Sequence, residues 1–135
     1  MRVKAFVFVI CLISLFIVLP PAFAHHSMAV FDATKTVTVT GVVTQFSYTN
    51  PHIYVYARIE RDGQTANFRV EAGSPSAMKE KGWSSKSLQV GDKITILAHP
   101  AKNNPNFGTL ILITKANGTR LETTLSPEFE VDGLR

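Results

Sequence analysis

The stretch TVTVTGVVTQF, residues 36–46, decides the fold of this chain. Its first five residues alternate threonine with valine, which is the period of a strand with one buried face. Gly41 interrupts the alternation, and the apolar pattern resumes at Val42. A glycine inside a strand is typical of a bulge or a sharp bend, which is a common way to curl a sheet. The pattern therefore predicts a long, curved first strand.

Two further strands are predicted on either side of a tight turn. Residues 52–59 alternate between two faces, and residues 65–71 do the same. Between them, Asp62-Gly63 is a pair favoured in hairpins, so the two strands should be antiparallel. The expected buried set is Ile53, Val55, Ala57 and Ile59 from the second strand and Ala66, Phe68 and Val70 from the third. The opposite face of the second strand would carry His52, Tyr54, Tyr56 and Arg58.

A short helix of about two turns is predicted after the third strand. Ser74 is a good N-cap, Pro75 suits the first helical position, and Gly82 would end the helix. Trp83 follows directly, and we expect its ring to seat the helix on the sheet.

The second half of the chain predicts two more strands and a short edge. Residues 93–99 alternate apolar and polar side chains, and residues 109–114 form an apolar run. The intervening residues 101–108 are rich in asparagine and proline, which is typical of a surface loop. After the tight turn at Asn117-Gly118, residues 119–121 predict a short returning edge strand.

Three strands, a short helix and two more strands is the order of the OB-fold, a five-stranded, partly open barrel. The sequence thus predicts a mainly β protein: a small five-stranded OB-like antiparallel barrel with one short helix between strands 3 and 4. A generic antiparallel β-sandwich is the alternative. The helix and Gly41 favour the barrel, because both fall where that fold would use them.

Residues 1–24 are typical of a bacterial secretory signal peptide. Arg2 and Lys4 precede an uncharged apolar run at residues 5–19, and a small-x-small site ends at Ala24. The run of about 15 residues is shorter than the roughly 20 that span a bilayer as a helix. We expect cleavage after Ala24, a periplasmic or secreted product, and no stable membrane span after the signal is removed.

The expected mature chain suits one domain. Removal of 24 of the 135 residues leaves 111, which we divide into an OB-like domain at residues 25–125 and a C-terminal tail at residues 126–135. Of the 14 basic residues 12 remain, against 10 acidic ones, and this small excess argues against a nucleic-acid partner. Cys11 would leave with the signal, which excludes disulfides, thiolate metal sites and cysteine nucleophiles.

Seven short motifs give the chain a family resemblance. They are Ala24-His25-His26-Ser27, Phe31-Asp32, Thr40-Gly41-Val42-Val43, Asn50-Pro51-His52, Gly73-Ser74-Pro75, Gly82-Trp83 and Gly91-Asp92. In this order they resemble a family of small secreted bacterial proteins known only as a domain of unknown function. The resemblance implies export and a small β domain, and it implies no activity or ligand.

All four histidines would survive processing, and they are candidate metal ligands. They are His25, His26, His52 and His99. A histidine at a free N-terminus offers its ring nitrogen and its α-amine together, and His26 adds a mode through a deprotonated amide. Both modes favour Cu(II), which accepts tetragonal nitrogen sites and stands highest in the divalent affinity order. The sequence therefore predicts copper as the possible cofactor, with no cofactor as the alternative.

The barrel hypothesis brings two of these histidines together. His52 begins the second strand after the first loop, and His99 ends the fourth strand before the next loop. In an OB-fold those two loops flank the same binding face, so we expect both side chains on one rim. The alternatives are a polar mature start for the terminal pair, a turn-capping role for His52 and an exposed strand end for His99.

A second candidate site needs no metal. It is a ligand face made of Tyr48, Asn50, Tyr54 and Tyr56, and its alternative is ordinary cross-strand packing of aromatic rings. Asp32 and Glu71 are possible acids for a site, against the alternative of solvated or turn-capping carboxylates.

Two functional hypotheses follow. The first is a periplasmic binding module that holds copper through His25 and further histidines. The second is a metal-free OB-like module that binds a small ligand or a partner protein through the tyrosine-bearing face. An enzyme is the hypothesis with least support, because the sequence contains no recognisable set of nucleophile, base and orienting residue and no cofactor fingerprint.

Overall fold

The computed structural model describes residues 30–123, which form six strands and one short helix. These are β1 (Val37–Ser47), β2 (Tyr54–Arg61), β3 (Gln64–Glu71), α1 (Pro75–Lys79), β4 (Lys93–Ala101), β5 (Asn104–Lys115) and β6 (Arg120–Glu122). The predicted signal peptide, His25, His26 and the predicted C-terminal tail lie outside the described residues.

Strand pairing closes the sheet into a five-stranded barrel. The strand order is β3-β2-β1-β4-β5-β6, and neighbours in this order are antiparallel. A parallel pairing of β3 with β5 completes the closure. The structure confirms the predicted OB-like barrel with a short helix between strands 3 and 4, and the sandwich alternative is wrong. The closing pair is parallel because β3 and β5 both run in the opposite direction to β4 and β2.

The core of the barrel is the set of apolar side chains that alternation predicted. Ile53, Val55, Ala57 and Ile59 are all buried, as are Phe68 and Val70 of β3 and Ile94, Ile96 and Ala98 of β4. Ala66 is only half-buried. Each strand therefore gives its other set of side chains to the outer surface, and this alternation places the candidate site.

Trp83 packs the helix region, which we define as residues 74–83, against the barrel, as predicted. Its side chain is 1% exposed, its ring centre lies 6.3 Å from that of Phe46, and its indole N–H donates to the carbonyl of Glu122 at 2.8 Å. Ser74 caps α1 by accepting the N–H of Ala77 at 3.3 Å. The helix spans five residues rather than the expected two turns, and Gly82 follows with φ +82°.

Gly41 is required by a close approach of strands. It pairs with Ile59 of β2 on one side and with Ile94 of β4 on the other. A Cβ atom here would overlap the carbonyl oxygen of Arg58 and lie 2.8 Å from Cγ2 of Ile59. The predicted bulge at the glycine is displaced, because the shift in register between β1 and β2 falls between Val43 and Gln45.

The predicted surface loop at residues 101–108 is wrong. β4 ends at Ala101 and β5 begins at Asn104, so a two-residue turn joins them. Contacts distant in sequence extend β5 through this polar stretch. The Arg61 guanidinium donates to the carbonyl of Pro105 and to Oδ1 of Asn106, both at 3.0 Å. The short edge strand predicted after Asn117-Gly118 is present as β6.

The segment before β1 lies along the end of β4. Phe31 forms an isolated antiparallel bridge with Ala101, and the N–H of Lys102 donates to the carbonyl of Val30 at 2.9 Å. The Phe31 ring is buried, with its centre 5.1 Å from that of Phe107. The segment before β1, the lead-in, thus pairs with the end of β4, and its Phe31 ring reaches Phe107 of β5.

Asp32 caps the turn that leads into β1. Its Oδ1 accepts the hydroxyl of Thr34 at 2.6 Å and the backbone N–H of Thr34 at 3.1 Å, and Oδ2 pairs with Nζ of Lys35 at 3.1 Å. The Thr34 hydroxyl, followed by Lys35, lowers the pKa of Asp32 to about 2. This carboxylate is therefore a turn cap, which was the alternative to its role as a site acid.

Candidate ligand-binding face

Polar and aromatic side chains line the outer surface of β2 and β3. In the register of these strands, Tyr54 lies opposite Glu71, Tyr56 opposite Arg69, and Arg58 opposite Asn67. We name these six side chains, with His52 at their edge, the β2–β3 face. Their positions alternate with the buried Val55, Ala57, Phe68 and Val70, so they lie on the side of the sheet away from the core.

Glu71 links two side chains at the end of this face where His52 lies. Its Oε1 contacts Nδ1 of His52, and its Oε2 accepts the hydroxyl of Tyr54 at 3.1 Å. The Glu71 side chain is 13% exposed and that of His52 is 35% exposed. A carboxylate only accepts hydrogen bonds, so Nδ1 of His52 carries the hydrogen, and in a neutral ring Nε2 carries the lone pair.

Tyr54 acts as a donor at this position. Burial, followed by the negative charge of Glu71, raises the pKa of the Tyr54 phenol above its ordinary value of 10.0. The phenol is therefore protonated at neutral pH and can donate its hydrogen to the carboxylate.

Arg69 is held by aromatic rings from the strands on either side of β3. Its guanidinium carbon lies 5.3 Å from the ring centre of Tyr54 on β2 and 4.1 Å from that of Phe107 on β5. Both distances fall in the range of cation–π contacts. Phe107 itself packs against Phe31 of the lead-in. The parallel pairing of β3 with β5 therefore builds part of the candidate site.

The four side chains predicted for a ligand face lie in three places. Tyr54 and Tyr56 lie on the β2–β3 face, with ring centres 6.4 Å apart. Asn50 is exposed in the loop before β2, where its peptide bond to Pro51 is cis. The Tyr48 hydroxyl instead lies 3.0 Å from the carbonyl oxygen of Pro75 and 3.2 Å from that of Trp83, so this side chain ties β1 to the helix region.

The two described histidines have separate partners. Nδ1 of His99 donates to the carbonyl of Lys35 at 2.7 Å, and the residue is 7% exposed. His99 lies opposite Thr109 of β5, which lies opposite Glu71 of β3. Two strand spacings of about 5 Å put the Cα atoms of His99 and Glu71 roughly 10 Å apart. Within residues 30–123, no group of three or more His, Cys, Asp or Glu side chains is placed to hold a metal ion.

Arg58, Arg69 and Phe107 were not predicted as site residues from the sequence. Alternation in the third strand was a signal for Arg69, because it places this side chain on the same side as Glu71. Phe107 gave no such signal, since it lies in the stretch predicted as a loop and reaches Arg69 only through the pairing of β3 with β5.

The barrel closure and the ordered outer face define a small OB-like domain. A model for a family of unknown function (DUF6152) matches residues 14–110, and the chain belongs to that family. This confirms the expected membership of an uncharacterised family. No curated protein and no solved structure matches the chain. In the part of the chain that the structure describes, no helix has the length and apolar character needed to cross a bilayer.

Proposed function

We propose that this protein is an exported small binding protein that takes its ligand on the β2–β3 face. The observation that carries the proposal is the ordered cluster of His52, Glu71, Tyr54 and Arg69 on that face. OB-folds bind their ligands on the outer surface of strands 2 and 3 and the adjoining loops. The cluster lies on that surface.

Prior ordering of these side chains favours binding. An arginine or a glutamate on a free surface loses rotamer freedom when a ligand fixes it, at a cost of about 0.5–1.5 kcal/mol for each side chain. Here Glu71 has a partner at each carboxylate oxygen, and two rings restrict Arg69. Much of that cost is therefore met by folding, as a preorganised site requires.

Amide NMR would test the location of the site. We expect trigalacturonate, inorganic pyrophosphate or neutral maltotriose to shift amide signals of residues 54–58 and 67–71. The Tyr56→Ala variant should then bind at least about fivefold more weakly, because truncation of an interface side chain that matters costs more than about 1 kcal/mol.

The other side of the barrel provides the control. Thr40, Thr95 and Thr114 line a shallow groove there, and Thr95→Ala should leave the affinity unchanged. Shifts confined to that groove, or equal affinity of the Tyr56→Ala variant and the unmodified protein, would show that the β2–β3 face is not the binding site.

A second candidate function is copper binding, and the contact between His52 and Glu71 favours it. Histidines that ligate metals almost always donate their other ring N–H to a carboxylate, backbone carbonyl or water, which leaves the remaining nitrogen for the metal. Nδ1 of His52 donates in this way to Glu71. The α-amine and imidazole of His25, together with His26, would supply the other nitrogens, and His99 is the remaining candidate. Four residues lie between His25 and Val30, and the five residue steps from one to the other give a reach of up to about 17 Å.

Copper binding can be tested by titrating Cu(II) and recording EPR spectra. We expect tight binding by protein that begins at His25 and a large loss in a form with one extra N-terminal alanine, since the extension removes the terminal chelate. Affinity should fall as the pH is lowered from 7.5 to 5, because protons compete with Cu(II) for the imidazole and α-amine nitrogens. Equal binding by both forms, or constant affinity from pH 7.5 to 5, would exclude histidine-terminus ligation.

A further inference from the structure

We infer that the ligand of the β2–β3 face carries an oxyanion, a carboxylate or a phosphate, which Arg69 binds together with Arg58. This inference rests on the proposed function and specifies the chemistry of its ligand. It follows from two neighbouring arginines on this face, Arg58 and Arg69, whose guanidinium groups make no hydrogen bond or ion pair within residues 30–123.

The Arg69 guanidinium is oriented while its hydrogen-bond donors remain unused. Tyr54 and Phe107 contact it from the strands on the two sides of β3. A guanidinium that stacks on rings keeps its N–H groups in the plane of the group, where they match the two oxygens of a carboxylate or phosphate. Among residues 30–123 no hydrogen bond or ion pair joins these N–H groups to a protein acceptor.

The nearest acid on the same strand face does not neutralise Arg69. Glu71 lies two residues along β3, on the same side of the sheet, but its two oxygens are directed to His52 and Tyr54. By contrast, Arg61 donates to Pro105 and Asn106 through one nitrogen. Arg69 is therefore a half-buried cation whose N–H groups make no hydrogen bond within residues 30–123, which leaves them available to an external oxyanion.

Arg58 adds a second cation to the same surface. It lies opposite Asn67, whereas Arg69 lies opposite Tyr56, so the two arginines are diagonal neighbours about 7–8 Å apart at the backbone. Arg58 is exposed, and no described side chain pairs with it. An anion between the two guanidinium groups would be attracted by both positive charges, while the Glu60 carboxylate, two residues along β2 on the same face, accepts the Thr65 hydroxyl at 2.8 Å. The Tyr56 ring beside them offers a stacking surface for a ring that bears the anionic group.

Calorimetric titration would test this inference on the full chain in the form that the host cell produces. The probes are trigalacturonate for a carboxylate, inorganic pyrophosphate for a phosphate, and maltotriose as the neutral control. We expect at least one anionic probe to bind, with affinity that falls as salt rises from 50 to 300 mM, because added ions screen the charges. The anion that binds more tightly identifies the source of the oxyanion.

Three variants separate the role of Arg69 from a general effect of charge. We expect Arg69→Gln to weaken binding of the anionic probe about tenfold or more, because a hydrogen bond to a charged group is lost. Arg69→Lys should retain part of the affinity, since it keeps the positive charge but loses the planar guanidinium that can bind two oxygens at once. Arg120→Gln is the matched control, because Arg120 is an exposed arginine on β6 that pairs with Glu122 at 3.5 Å. Amide spectra of the variants would establish that each is folded.

The outcomes also distinguish this inference from the proposed function. If maltotriose binds the β2–β3 face as tightly as the anions, or if Arg69→Gln has no effect on an anion that binds there, the face is a site and the oxyanion inference is wrong. If neither anion binds, the inference is also wrong, and the amide shifts caused by maltotriose decide the proposed function separately.

Discussion

Replacement of Trp83 by alanine is expected to lower the free energy of unfolding by about 3–5 kcal/mol, the range for truncation of a buried aromatic ring. Trp83 is 1% exposed and lies against Phe46, so its removal leaves a cavity between the helix region and the barrel. It also removes the indole N–H that donates to the carbonyl of Glu122. A domain of this size typically has 5–15 kcal/mol of stability, so the loss is a large share of the total.

Urea denaturation followed by circular dichroism would measure this effect. The midpoint of thermal unfolding should fall by about 15 °C or more. Trp83→Phe should lie between the alanine variant and the unmodified protein, because it keeps a ring and loses the hydrogen bond. Val90→Ala is the control, since Val90 is 72% exposed and its truncation should be nearly neutral. A loss below about 1 kcal/mol for Trp83→Ala would contradict the role of this ring in holding the helix region on the barrel.

Gly41→Ala is expected to destabilise the protein by about 1–3 kcal/mol or more, the cost of forcing extra volume into a packed site. The added Cβ would overlap the carbonyl oxygen of Arg58 and approach the side chain of Ile59. The first of these atoms belongs to the backbone of β2, so the clash is relieved only by moving a strand. Because β1 pairs with β4 at the same residue, it cannot shift away freely.

A neighbouring alanine substitution separates this clash from a simple change of strand propensity. Thr38→Ala lies on β1 at an exposed position, and we expect its effect to stay within about 0.5 kcal/mol. The two variants can be compared by their urea midpoints under identical conditions. If Gly41→Ala is as stable as Thr38→Ala, the close approach of β1 and β2 does not explain the glycine.

The candidate site shows what the alternating pattern of the sequence can predict and what it cannot. The period-two pattern predicted that Tyr54 and Tyr56 lie on the outer face of β2, with Val55 and Ala57 on its buried face, and the structure has them there. It did not show that Glu71 binds His52 and Tyr54 rather than Arg69, because the pattern assigns a side chain to a face and does not select its partner. Tyr48 likewise has the residue type of a ligand face, whereas its hydroxyl lies against the helix region.

The order of the elements was determined by the sequence alone, because each depends on signals that lie within a few residues. Alternating apolar residues predicted the strands, Asp62-Gly63 predicted the hairpin, and Ser74-Pro75 predicted the start of the helix. Membership of an uncharacterised family was also predicted from the sequence, and the match over residues 14–110 confirms it.

The tertiary structure alone decided the closure of the barrel and the composition of its outer face. β5 extends into a stretch rich in asparagine and proline, where local propensity favours a loop, because β4 pairs with it at Asn104 and Gly108 and β3 pairs with it at Phe107 and Gly108. The same pairing brings Phe107 to Arg69, although 37 residues of intervening chain separate them. Contacts of this kind are set by the energy of closing the whole sheet, and no local stretch of sequence encodes that energy.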